Sequence, residues 1–142
     1  MFPFLAGRRD LMMACIPLYP PRGLEILREH IRLARARHEV QDMAAPLTYI
    51  WFYQRVRNRG PWDYKQKNKL WADYGNFHYG AVGYAAGIPA EILHIAAGAA
   101  QEVAKTSLPV WGHFYTDAPF GDDPRDQFWI KQGIDYVKQH HY

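Results

Sequence analysis

Between residues 22 and 43 the positions Leu24, Leu27, Ile31 and Ala34, with His38 extending the row, recur every three or four residues, and Arg and Glu fill the gaps. That is the period of an amphipathic helix with one buried stripe. Ala45-Pro46 interrupts the pattern. A second helix is predicted over Leu47–Arg59, with Leu47, Ile50, Tyr53 and Val56 on its inner face and Gly60-Pro61 as its stop. Trp62–Gln66 reads as an irregular or short helical piece. The segment GNFHYGAVGYAAG, Gly75–Gly87, predicts a helix starting at its first residues. Its small residues Gly75, Gly80, Gly83, Ala86 and Gly87 line one side and admit another backbone at close range. Each helical glycine costs about 1 kcal/mol, so close packing or a ligand has to compensate. Pro89 suits the first residue of a helix that carries Ile92, Leu93, Ala96, Ala97 and Ala100 to about Lys105. Ser107–Phe120 reads as a loop. The last helix opens on Asp123 as N-cap and Pro124 as first residue, and it turns Ile130, Ile134 and Val137 inward.

Alternating strand patterns, hairpin signals, repeats and low-complexity tracts are all missing. The fold class is therefore mostly α: a single compact helical domain of about five helices with long aromatic and glycine-rich loops. Residues 1–21, with Pro17, Pro20 and Pro21, read as an extended, mobile leader that would suit the end of a delivery region. Residues 22–142 are the domain proper. At 142 residues one domain is expected, large enough to bury a core without staples. The single cysteine, Cys15, excludes an intrachain disulfide framework. No apolar run approaches the ~18 residues of a membrane span, so stable membrane insertion is not expected. Arg8, Arg9 and Asp10 leave too few apolar residues before Cys15 for a signal peptide or lipoprotein site.

The net charge of +3 discriminates poorly, but its distribution is informative. Arg55, Arg57, Arg59, Lys65, Lys67 and Lys69 are opposed only by Asp63, and Trp62, Tyr64 and Trp71 lie among them. Such a strip can neutralise phosphates and stack bases; it can equally be the solvated face of a helix. Three polar clusters interrupt the helical pattern: Asp63-Tyr64-Lys65; Asn76 with His78 and Tyr79; and Asp122, Asp123, Asp126 and Gln127. Each has a structural explanation. Asp63, Asn76 and Asp123 can cap helices, Asp126 suits a first helical turn, and His78 can be a hydrogen-bonded core histidine. Zinc-protease, cysteine-pair, calcium-loop, Walker, dinucleotide and serine-hydrolase patterns are all absent. Asp122, Asp123 and Asp126 could hold magnesium through oxygen, but capping explains them more simply, so no metal and no cofactor is assigned. Cys15, in the leader, makes a poor nucleophile. What remains is metal-independent acid–base chemistry.

The series GPWDYKQ (60–66), YGNFHYGAVGYAAGIP (74–89), the Ala/Gly helix with Gln101, Trp111-Gly112 and GDDPRDQFWIKQGIDY (121–136) resembles the polymorphic toxin type 44 family over about Leu47–Tyr136. These domains are C-terminal tips of bacterial conflict proteins, carried on rearrangement-hotspot repeat proteins and on type VI or related secretion effectors. The resemblance implies a secreted antibacterial effector, a parent delivery protein, a cognate immunity protein and a mostly helical ribonuclease activity. The family commonly carries asparagine where this chain has His78. That argues against His78 as the family's general base and gives weight to Asp63, Lys65, Asn76, Tyr79 and the Asp122–Asp126 group.

The expectation is a nuclease toxin that cleaves RNA in the cytoplasm of the target bacterium. Catalytic candidates are Asp63, Lys65, Asn76, His78, Tyr79, Asp122 and Asp126. Substrate-binding candidates are Arg55, Arg57, Trp62, Tyr64, Lys67, Trp111, Asp123 and Gln127. The alternative is a peptidoglycan-cleaving toxin of the periplasm, with Asp63 or Glu91 set against Asp122 or Asp126 as the carboxyl pair of a glycosidase. A non-enzymatic adaptor is a third reading. In the enzymatic readings GNFHYG starts a helix and turns Asn76 and Tyr79 toward a polar cleft. The basic strip forms one wall, and the aspartates of the last helix face it.

Overall fold

The computed structural model describes residues 13–40, 45–103, 108–113 and 116–142. Within them the order is α1 (Gly23–Val40), α2 (Ala45–Val56), the single turn α3 (Tyr64–Lys67), a 3-10 turn (Lys69–Trp71), α4 (Ala72–Ala85), α5 (Ala90–Val103), a second 3-10 turn (Pro109–Trp111) and α6 (Pro124–Gln139). No strand occurs among the described residues. The expected helical domain is present, with α3 as the addition to five longer helices.

The glycine-rich helix α4 is the centre of the domain. It packs most extensively along α6, and α1, α3 and α5 also lie on it. Phe77, Ala81, Val82 and Ala85 of α4 meet Leu27, Ile31 and Ala34 of α1 and Ile130, Ile134 and Val137 of α6 in one buried cluster. Two glycines set the α4–α6 distance. A Cβ on Gly80 would overlap the carbonyl of Ile130, and one on Gly133 would overlap the carbonyl of Phe77. Close backbone contact thus offsets the helical cost of glycine.

Two expectations change. First, α2 buries Thr48 and Phe52, whereas Leu47, Ile50 and Tyr53 are exposed. The run Tyr49-Ile50-Trp51-Phe52-Tyr53 is apolar around its whole circumference, so spacing alone cannot choose a face. The choice is made by Phe52 packing on Tyr79, ring centroids 5.4 Å apart, and by Trp51 meeting Trp62 edge-on at 5.6 Å. Second, α4 starts at Ala72, continuing from the 3-10 turn that the Asn68 side chain caps. Asn76 therefore sits in the second turn and is not a cap. The described part of the leader, residues 13–21, touches the domain. The backbone N–H groups of Ala14 and Cys15 donate to Gln139 and Gln132 of α6, both at 2.8 Å, and the Tyr19 ring meets Tyr74 edge-on. Residues 1–12 of the leader, 41–43 of the first predicted helix and 104–105 of the fourth lie outside the described residues. No helix among those described is long and apolar enough to cross a membrane.

Candidate active site

A cleft of about 470 Å³ opens where α3, α4, α5 and the N-terminus of α6 converge. Asp126 is its centre. Placed in the first turn of α6 by the Asp123 cap and Pro124, it is buried and accepts from three segments. Asn76 of α4 donates to Oδ1 at 3.0 Å; Gln101 of α5 and Lys65 of α3 donate to Oδ2 at 2.9 and 3.1 Å. The same Asn76 amide group also donates to the Ala72 carbonyl of its own helix at 3.1 Å. A carboxylate held by an ammonium and two amides is fixed in orientation.

Asp122 lines the same cleft and is only 1% exposed. Its Oδ2 accepts from Gln127 Nε2 at 2.7 Å and its Oδ1 from the Asp123 backbone N–H at 2.9 Å. Burial is the main force on its ionisation, and the neighbouring Asp126 charge acts the same way. Together they push its pKa up to about 6 against the opposing hydrogen bonds from Gln127 and Asp123 and the attraction of Lys65. Gln127 also donates to the His94 carbonyl at 3.2 Å, so it clamps Asp122 to α5.

The other candidates divide by location. Asp63 lines the cleft but is committed to the backbone: it accepts from Arg59 N–H at 2.7 Å and Gln66 N–H at 3.4 Å, as the cap of α3. Asp123 lines the cleft and caps α6 through Arg125 N–H at 2.9 Å. Tyr79 contributes its ring, while its hydroxyl donates to the Leu93 carbonyl at 2.7 Å; burial drives its pKa strongly upward. Trp62, Tyr64 and Trp111 supply aromatic walls. Glu91, at the exposed start of α5, does not line the cleft.

His78 and the basic strip apart from Lys65 lie elsewhere. His78 is wholly buried behind the cleft wall, hydrogen-bonded to His30 through Nε2 and Nδ1 at 2.8 Å and ringed by Trp62, Tyr64 and Tyr74. Its own Nδ1 is buried without a partner. Burial, then the neighbouring His30 and Lys67, hold its pKa well below the usual histidine range. Arg55 lies over Trp51 and Trp62, at 4.9 and 5.7 Å from their ring centres. Arg57 is exposed, and Lys67 donates to the Pro61 carbonyl at 2.8 Å over the Tyr64 ring. None of these three lines the cleft. The cleft is thus acidic, with Asp63, Asp122, Asp123 and Asp126 against Lys65.

Gln101 was legible as a motif residue but not as a partner of Asp126; an amide after the Ala/Gly run 96–100 was the available signal. His30 had none, because its neighbours in the chain do not distinguish it from other polar positions of α1. Among the described residues no group of three or more His, Cys, Asp or Glu has an arrangement that could hold a metal ion. A family model described as bacterial toxin 44 matches residues 69–139, half of the chain, and so spans Asn76, Gln101, Asp122 and Asp126. No curated protein and no solved structure matches.

Proposed function

Because the chain belongs to the bacterial toxin 44 family, we propose that its toxicity resides in the acidic cleft, as a hydrolase that cleaves the glycan of the target's peptidoglycan. One observation carries this reading: a buried carboxyl, Asp122, whose pKa burial raises to about 6, shares the cleft with a carboxylate, Asp126, that three donors hold in place. Two carboxyl groups in unlike environments divide acid and base roles. Asp122 donates its proton to the leaving glycosidic oxygen as the anomeric C–O bond breaks. Water adds to the anomeric carbon, and Asp126 takes the proton that the water loses. Lys65, Asn76 and Gln101 position Asp126, and the rings of Trp62 and Trp111 offer faces for sugar. An excess of carboxylates suits an uncharged glycosidic linkage better than a phosphodiester.

A second reading, cleavage of RNA, is favoured by one specific feature. The Lys65 side chain is 48% exposed at the cleft and offers a cation for phosphorane charge, with Arg55 on the adjoining surface. Its roles would be Asp122 as acid, Asp126 as base and Lys65 as electrostatic partner. In either reading delivery comes from a parent secretion protein and protection from a cognate immunity protein. The test incubates the purified chain with peptidoglycan sacculi and, separately, with total RNA. New reducing ends from sacculi, lost in Asp122→Asn, support the glycan reading. Intact sacculi with degraded RNA overturn it in favour of the second.

A further inference from the structure

Helix α1 carries a second feature that shares no residue with the cleft. Arg28, Arg32 and Arg35 follow one another at intervals of four and three along one face, and Glu39 continues the row. They line a groove of about 560 Å³ whose floor includes Ile31 and whose far wall is Tyr142. At 1.5 Å per residue the three arginines span about 10 Å of helix.

These guanidiniums are not consumed by the fold. None has a carboxylate within ion-pair distance among the described residues. Arg28 has only the neutral phenols of Tyr136 and Tyr142. The Nε of Arg35 is buried with no acceptor, and a buried donor left unpaired is costly. Elsewhere on the surface comparable arginines are paired: Arg22 with Glu25 at 2.9 Å and Arg125 with Asp73 at 2.8 Å.

We propose that this stripe is a docking surface for an acidic α-helix of a protein partner. The charge order selects that occupant. A helix presenting carboxylates at i, i+4 and i+7 and a basic residue at i+11 meets Arg28, Arg32, Arg35 and Glu39 in turn. Arginine forks favour bidentate pairing with carboxylates and are enriched in protein interfaces. A nucleic acid strand fits less well, because Glu39 ends the row and Glu25 and Glu29 flank it on the adjoining face. The groove and the cleft share no lining residue, so the partner would hold the toxin through residues separate from the chemistry.

The probe is a fluorescein-labelled helical peptide with Glu at i, i+4 and i+7 and Lys at i+11, titrated against the full chain by anisotropy at low salt. Saturable binding is expected, weakened about tenfold or more in Arg32→Glu/Arg35→Glu, as for loss of close charge pairs. A peptide with Lys in place of Glu is expected to regain affinity for that variant. Circular dichroism checks the fold, and Arg32→Gln/Arg35→Gln serves if the reversal unfolds it. Absence of binding, equal binding by the variants, or stronger binding of an oligouridylate or of anionic vesicles overturns the proposal. Cleft activity plays no part in the readout, so this outcome is independent of the proposed hydrolase.

Discussion

Asp122 and Asp63 line one cleft, yet opposite consequences follow from removing them. Burial disfavours the charged form of Asp122 and raises its folded pKa to about 6, above its unfolded value. A group raised in this way stabilises the fold fully below its unfolded pKa, and that contribution is lost as pH rises through the folded one. At pH 8 the charged carboxylate is therefore a liability, and Asp122→Asn is expected to melt higher than the wild type there. The same substitution removes the proton donor and should lower hydrolysis about 100-fold or more; in the wild type, activity should fall as pH rises above about 6. A lower melting point at pH 8 would show that Asp122 is structural first. Asp63→Ala removes an acceptor for two backbone N–H groups and should cost about 0.5–2 kcal/mol in denaturant melts. His78 has the other sign. Its pKa is depressed by burial beside His30 and Lys67, so its contribution is present above the unfolded value near 6.5 and is lost as pH falls below it. Relative to His78→Phe, the wild type should lose thermal stability between pH 7 and pH 5; a difference between the two that does not change with pH would contradict the assignment. Asn76 was legible as a polar residue worth attention. Its partnership with Asp126, fifty positions away, was not, because local spacing carries no information about contacts between helices.

The glycines of α4 were readable as a surface for close approach, and the helix they face is α6. Gly80 and Gly133 admit the carbonyls of Ile130 and Phe77, one from each helix. Those oxygens belong to helical backbone and cannot swing aside. Gly133→Ala should therefore destabilise by about 1–3 kcal/mol despite alanine's better helix propensity, as overpacking does. Because α6 carries both Asp122's clamp, Gln127, and Asp126, the shift should also weaken hydrolysis. Stability equal to the wild type in a urea titration would refute the close-packing account. In α6 the caps, first turn and inward positions all agree with the sequence pattern. In α2 the apolar positions could be recognised but not the buried face, since the aromatic run offers several and Tyr79 and Trp62 select one.

For the whole molecule, the compartment in which it kills separates the two enzymatic readings. Inducible expression in a bacterium should be lethal with an export signal and tolerated without one if the glycan is the target. The viable-count pattern should reverse if RNA is cleaved. Asp122→Asn should be harmless in both compartments. Lethality independent of compartment and of Asp122 would remove the cleft from the account of toxicity. Lysis on export, followed by microscopy, checks the same expectation without a purified substrate.

Helix periods, caps and small-residue spacing depend on neighbours within a turn or two, so the all-helical class, the α6 start and the list of polar interruptions could be read from the chain alone. The resemblance to toxin 44 domains was equally local, being a matter of motifs in order. Tertiary packing decided which of those polar residues share one cleft. Asp126 gathers Lys65, Asn76 and Gln101 because α3, α4 and α5 all end their approach at the N-terminus of α6. His78 is withdrawn into an aromatic core by the same stacking, since helix packing removes one face of α4 from solvent and leaves the other at the cleft.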